Sequence, residues 1–138
     1  MTEHAEGTFE VASFTPLEVT PAVAIETALP AGVATMEKRY AGEVEGRSAT
    51  LFTGAQGASG VGTYVALESF AGTLRGASGG FTFVHAASTS GSDRSGEFFA
   101  VVPGSGSGAL AGISGSGGMA VDADGTHRIW FDYDLPRR

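Results

Sequence analysis

One eight-residue frame, Gly-x-(Leu/Val)-x-Gly-x-Ser-(Gly/Ala), occurs three times in this chain. The copies are Gly42-Glu43-Val44-Glu45-Gly46-Arg47-Ser48-Ala49, Gly72-Thr73-Leu74-Arg75-Gly76-Ala77-Ser78-Gly79 and Gly108-Ala109-Leu110-Ala111-Gly112-Ile113-Ser114-Gly115. Glycine reaches positive φ at little steric cost, which tight hairpins and bulges require. Each copy therefore reads as a corner between two antiparallel strands. The chain has no asparagine, so glycine must supply nearly all such positions. Its 22 glycines in 138 residues are about 16%, against ~7% in average usage.

Between the glycine clusters, β-branched and aromatic residues alternate with a period of two. The pattern predicts eight strands: Thr8–Thr15, Val33–Ala41, Arg47–Gly54, Gly62–Ala71, Gly79–Ser88, Gly96–Val102, Ser116–Asp122 and Thr126–Leu135. Glu18–Glu26 is the one stretch of helix formers, and Pro21 limits it to a short helix or an extended piece. Asp124-Gly125 reads as a type I′ turn and Gly91-Ser92-Asp93 as another hairpin loop. The expected fold is all-β: a single domain over residues 1–138, an eight-stranded antiparallel up-and-down barrel with little or no helix. Closure removes exposed edges, and eight strands enclose an interior that side chains fill or that holds one small ligand. A β-sandwich competes, but evenly recurring corners favour the barrel.

Composition excludes several function classes. The formal charge is −7 and Lys38 is the only lysine. No basic stripe is present to neutralise phosphates, so no nucleic acid is expected as a partner. An anionic membrane would repel the chain, and no run approaches the ~18 apolar residues of a membrane span. The absence of cysteine removes disulfides, thiolate metal sites and cysteine nucleophiles. His4, His85 and His127 lie far apart without metal-ligand spacing, so no metal site is expected. The first residues lack the basic and apolar segments of a signal peptide, and the expected location is cytoplasmic. Gly106–Ala111 matches Gly-x-Gly-x-x-Ala after a strand. The glycines that follow leave no helix to receive a pyrophosphate, so this match is hairpin glycine.

Five segments carry a resemblance: Gly7–Val11, Lys38–Glu43, Gly62–His85, Val101–Gly112 and His127–Leu135. Together they resemble a bacterial family of unknown function whose fold is like that of allene oxide cyclase, a small calycin-like barrel. The likeness extends over nearly the whole chain. It implies a barrel of that type with an apolar pocket. By analogy with enzymes on similar barrels, it implies cofactor-free cyclisation or isomerisation of a small hydrophobic organic molecule. The chain departs from the family pattern at Val84, where a polar residue is usual.

Glu68 is the leading candidate for chemistry. Alternation places it with Tyr64, Ala66 and Phe70, and an inward face would make it a carboxylate in apolar surroundings, a general acid or base. The competing reading is a solvated outer glutamate. His85 shares a face with Phe81 and Phe83. A turn centred on Gly76-Ala77 places residues 68 and 85 directly opposite, as a Glu–His pair that moves a proton or a structural hydrogen bond. A corner centred on residue 44 pairs Tyr40 with Ser48. Lys38 either points inward to an ion pair with Glu68, which weakens the general-acid reading, or stays on the surface. Tyr64 joins Glu68 and His85 as a catalytic candidate. Lys38, Tyr40, Ser48, Phe52, Phe81, Phe83, Phe131 and Tyr133 are the candidate ligand-binding set. Trp130, on the polar side of the last strand, suggests a homo-oligomer contact. The alternative function is a non-catalytic binding or structural oligomeric barrel whose interior is filled by Phe52, Phe81, Phe83 and Phe131. A cavity above ~300 Å³ with Glu68 in its wall separates the two.

Overall fold

The computed structural model describes residues 2–91 and 93–136, most of them in strands. In chain order these are β1 (Glu3–Leu17), β2 (Ala31–Gly42), β3 (Val44–Gln56), β4 (Gly62–Leu74), β5 (Ala77–Ser90), β6 (Asp93–Val101), β7 (Ser107–Gly108), β8 (Ser114–Val121) and β9 (His127–Asp134). One 3-10 turn, Ala58–Gly60, is the only helical element among the described residues. No helix there is long and apolar enough to cross a membrane. Glu18–Glu26 forms no helix and lies in the irregular connection from β1 to β2.

Every ladder is antiparallel, and neighbours run β1-β2-β3-β4-β5-β6-β8-β9. β9 then returns to pair with β1 from Glu3↔Tyr133 to Phe9↔His127, so the sheet closes into a ring. All eight expected strands are present, and β7 is an additional short one on β5. The weak point of the ring is β6–β8, with a single registered pair, Ala100↔Ser116.

One end of the ring is densely filled. Tyr40, Phe70, Phe81, Phe83, Ile129, Phe131 and Tyr133 are buried in one apolar cluster. The frames contribute to it: their third residues, Val44, Leu74 and Leu110, are all 0% exposed. The frame glycines also align across strands, Gly46↔Gly72, Gly72↔Gly79 and Gly79↔Gly108. A Cβ on Gly72 would stand 2.0 Å from the Glu45 carbonyl oxygen. These glycines serve close backbone approach as much as turning.

The corners differ in detail from expectation. The β4–β5 turn is Arg75-Gly76, with φ of 47° and 84°, and Leu74 pairs with Ala77. Two positive φ values in a two-residue loop are the type I′ pattern, so the turn centre lies one residue before the expected Gly76-Ala77 and cross-strand partners shift by two residues. The β2–β3 corner centres on residue 43, pairing Lys38 with Ser48 and Tyr40 with Gly46. The third frame is no hairpin corner. It lies in the wide connection from β6 to β8, which bends back to pair with β5 and buries Leu110 and Ile113. Asp124-Gly125 is not type I′ either. Gly125 alone has positive φ (89°), Gly125 N–H donates to Asp122 O, and Asp122 N–H donates to Thr126 O. That is a three-residue loop ending in a glycine bulge. The expected turn at Gly91-Ser92-Asp93 includes Ser92, outside the described residues.

Two bulges change which side chains point inward. One falls between Val11 and Ser13 of β1, the other opposite Ala86/Ser88 in β6, where Gly96 has φ 59°. A bulge inserts one residue and reverses the alternation beyond it.

Gly72→Ala should lower the unfolding free energy by ~1–3 kcal/mol through overpacking, because its Cβ would collide with backbone. Gly32→Ala, with nothing within 4 Å of its Cβ, should be neutral or stabilising by up to ~1 kcal/mol. Urea melts of the two variants compare them; equal losses would contradict the close-approach account.

Candidate functional site

β4 turns Tyr64, Ala66, Glu68 and Phe70 inward, and all four are buried. Glu68 is 0% exposed, so the inward assignment of its face holds. A buried carboxylate accepts hydrogen bonds at both oxygens, and donors arrive from three neighbouring strands. Lys38 Nζ (3.0 Å) and His85 Nε2 (2.9 Å) reach Oε1. Ser48 Oγ (2.5 Å) and the Tyr40 hydroxyl reach Oε2. Lys38 is 4% exposed and also stands 4.7 Å from the centre of the Phe9 ring, a cation–π contact.

The register brings these groups together by a different route from the expected one. Glu68 pairs with Phe83 and His85 with Ala66, so the carboxylate and the imidazole are diagonal neighbours. Tyr40 and Ser48 are not cross-strand partners, yet both converge on Glu68. For Lys38, the structure has the ion pair rather than the surface position.

Burial alone would raise the Glu68 carboxyl. The His85 hydrogen bond, the Lys38 charge and the Ser48 and Tyr40 hydroxyls outweigh it and hold the group at about 2. Glu68 is therefore ionised near neutral pH and is a poor general acid. Burial, with the nearby Lys38 charge, lowers His85 despite the Glu68 hydrogen bond, so its imidazole is neutral at pH 7. Burial and the Glu68 charge push the Tyr40 hydroxyl well up.

These states set the direction of donation. A carboxylate only accepts, so His85 Nε2 carries the proton. Nδ1 then accepts from the Tyr64 hydroxyl at 2.9 Å, and the Tyr64 oxygen accepts from Arg94 Nη2 at 3.1 Å. Arg94 Nε donates to Glu97 at 2.7 Å, which carries the chain to the surface. Arg94 is a member of the site that alternation alone misses. Counting back by twos from the inward Phe99 places Glu97, Ser95 and Asp93 inside. The bulge at Gly96 reverses that order and turns Arg94 toward Tyr64. The pairing of a glycine with flanking charges inside a strand was the one available signal.

The remaining candidates separate into two groups. Phe81, Phe83, Phe131 and Tyr133 are 0–3% exposed and pack in the filled end of the ring. Phe52 lies toward the other end, stacked on Tyr64 with ring centres 5.3 Å apart and edge-on to Phe14. With Phe14, Pro16, Pro30 and Gln56 it borders a pocket of about 210 Å³. Larger grooves, about 320 Å³ beside Tyr40 and His127 and about 460 Å³ beside Gly112 and Pro136, also exist. None of these walls includes Glu68, and neither do those of two smaller cavities beside Arg94. None of them is therefore the cavity above ~300 Å³ with Glu68 in its wall that separates a ligand barrel from a filled one; Phe81, Phe83 and Phe131 fill the ring beside Glu68 instead. The openings nearest the polar chain are two cavities that share Arg94 and Met119. One, of about 140 Å³, passes between β6 and β8, from Trp130 and Phe98 outside to His85 and Phe99 inside. The other, of about 170 Å³, is lined by Phe9, Val121 and His127. Trp130 lies over Gly118, whose missing side chain makes room for the indole. Among the described residues no three His, Asp or Glu side chains gather as a metal site.

Residues 5–133 match the family model described as "Protein of unknown function (DUF3224)". The fold is similar to a 1.84 Å crystal structure of a DUF3224 protein of unknown function from Shewanella oneidensis MR-1. That likeness has a TM-score of 0.83 at 28% identity and covers 99% of this chain and 100% of that one. No curated protein matches the chain.

Removing one partner of the buried pair, by Glu68→Gln or Lys38→Met, should cost ~3–5 kcal/mol, since the other charge is left uncompensated. Replacing both should cost less than the sum; additive losses in a double-mutant cycle would deny the coupling. Thr50 Oγ1 is buried without a partner opposite Glu68, so Thr50→Val should raise stability by about 1 kcal/mol. The folded-state values of His85 and Glu68 both lie below their unfolded values of 6.5 and 4.5. The stability that these two groups contribute is therefore fully present above about pH 6.5 and falls on acidification, first as unfolded histidine takes up its proton. It falls again between 4.5 and about 2 as Glu68 protonates, by on the order of 3 kcal/mol. Glu68→Gln should remove the second decline in urea melts taken across this range.

Proposed function

This chain belongs to the DUF3224 family, whose function is unknown, and we propose that it binds a small, uncharged organic molecule beside Arg94. The observation that carries this reading is the pair of cavities sharing Arg94 and Met119, where the buried hydrogen-bond chain meets the surface. Their walls are mainly Phe9, Phe98, Phe99, Met119, Val121 and Trp130, with His85, Arg94, Glu97 and His127 as the polar groups. Apolar walls with a few polar groups are typical of small-molecule sites. At about 140 and 170 Å³, each cavity is smaller than the ~300 Å³ at which drug-sized ligands are held, so the ligand is small. Charge balance selects a neutral one. Arg94 is paired with Glu97 and Lys38 with Glu68, so a charged ligand would leave an unpaired charge in a partly dry site. A carbonyl or hydroxyl group can still hydrogen-bond Arg94 or His85.

A second reading is cofactor-free isomerisation or cyclisation, on a ring read as a barrel of the allene oxide cyclase type. The direction of donation along the chain favours it. Transfer of the Tyr64 proton to His85 Nδ1 makes an imidazolium facing the Glu68 carboxylate and leaves a phenolate beside Arg94. Tyr64 lines neither cavity, so this reading requires the ligand to pass Arg94; the phenolate can then remove a proton next to a carbonyl, while Glu68 positions and balances His85.

Trp130 is the only tryptophan and lines the nearer cavity, so its emission reports occupancy. Acetophenone should change that emission saturably, benzoate and benzylamine at least tenfold more weakly. Met119→Phe, which keeps Trp130 as the only tryptophan, should weaken acetophenone by a similar factor by filling the shared wall. No saturable change with acetophenone, or equal affinity for benzoate, counts against the binding reading. For turnover, the protein in D₂O should speed deuterium exchange of the acetophenone methyl group, and Tyr64→Phe should remove the gain.

A further inference from the structure

Charge is distributed unevenly over the outside of the ring. Glu10, Glu37, Arg39, Glu45, Arg47, Arg128 and Asp132 lie on the outer faces of β1, β2, β3 and β9. Every outward position of β4 from Thr63 to Thr73, and of β5 from Ser78 to Ser88, is apolar, hydroxyl-bearing or glycine. The register extends this uncharged face onto both neighbours. One row runs Leu51↔Leu67↔Val84↔Ala100 and the next runs Thr53↔Val65↔Ala86↔Phe98. Leu51 (63%), Phe98 (56%), Val65 (49%) and Leu67 (47%) stand well exposed on it. The chain carries 8 basic and 15 acidic residues, and none of them stands on these outward positions of β4 and β5.

We propose that this face docks a second copy of the chain, β4–β5 against β4–β5 across a two-fold axis. Three features select that occupant. With a net charge of −7, two copies repel one another, and this face brings them together without opposing acidic groups. The face is self-complementary in chemistry, as an isologous contact requires, and Leu67 near the middle of β4 falls close to the axis. Its size is also adequate. Strands of 13 and 14 residues at ~3.3 Å rise and ~4.8 Å spacing, with the flanking parts of β3 and β6, offer on the order of 600 Å² per copy. The total of ~1,200 Å² is the lower end of stable interfaces, with the apolar side chains of Leu51, Val65, Leu67, Val84 and Phe98 at its centre and serine, threonine and glycine around them. Trp130 on β9 lies outside this face.

Light scattering on a size-exclusion column tests the proposal. The wild-type chain should elute at twice 13.9 kDa, and Leu67→Glu should shift it to 13.9 kDa with unchanged circular dichroism. Leu51→Glu serves as a second disruptor should Leu67→Glu alter the fold, and Ile25→Glu, in the β1–β2 connection, should leave the dimer intact. A monomeric wild type, an assembly larger than two, or a dimer that survives both Leu67→Glu and Leu51→Glu would overturn it.

Discussion

A carboxylate with no access to water must be met by donors, and in this protein those donors come from β2, β3 and β5 around Glu68 on β4. The four strands are thereby tied to one register. A slip of one residue on any of them would send its polar group outside and an outer residue into the interior. Replacing such a network with well-packed apolar residues is often neutral or stabilising, so its consequence here is uniqueness of pairing rather than raw stability. Flat glycine-rich strands pair promiscuously, and a buried ion pair with hydroxyl and imidazole partners makes one pairing far better than its neighbours.

The network also divides the ring. On one side the aromatic cluster of Phe81, Phe83 and Phe131 fills the interior, closed by Val44, Leu74 and Leu110 from the three glycine frames. On the other side the chain of donors runs outward through His85 and Tyr64 to Arg94, where β6 and β8 scarcely pair. A gap in a ladder leaves room that a continuous sheet would close. The two cavities beside Arg94 lie against that gap, and the Gly96 bulge supplies their cationic wall.

Much of this was legible in the chain. Period-two alternation located all eight long strands and grouped Glu68 with Tyr64, Ala66 and Phe70 and His85 with Phe81 and Phe83; which face of β4 points inward was settled by burial in the structure, since Val65 and Leu67 are apolar as well. What alternation cannot register is an inserted residue. The bulges in β1 and β6 are single-residue events, and one hid Arg94. Turn centres fell one step off at both regular corners. Positive φ at Arg75 is held by a backbone bond from its N–H to Glu43 on the neighbouring corner, a contact distant in sequence. The third frame shares its letters with the other two but not their partners, and so became a long connection rather than a corner.

The sequence by itself determined an all-β chain with glycine corners, since periodicity and steric freedom are local properties; it left Glu68 between an inward and an outer face, because Val65 and Leu67 beside it are apolar too. Only the tertiary structure decided that Lys38 is the ion-pair partner, that His85 is diagonal to Glu68, and that Arg94 ends the polar chain. Each of these depends on register between strands, which is set by non-local hydrogen bonds and by the burial of charge. The glycines show both levels at once: their freedom to turn is written in the residue, while their alignment from Gly46 to Gly108 exists only once the strands are paired.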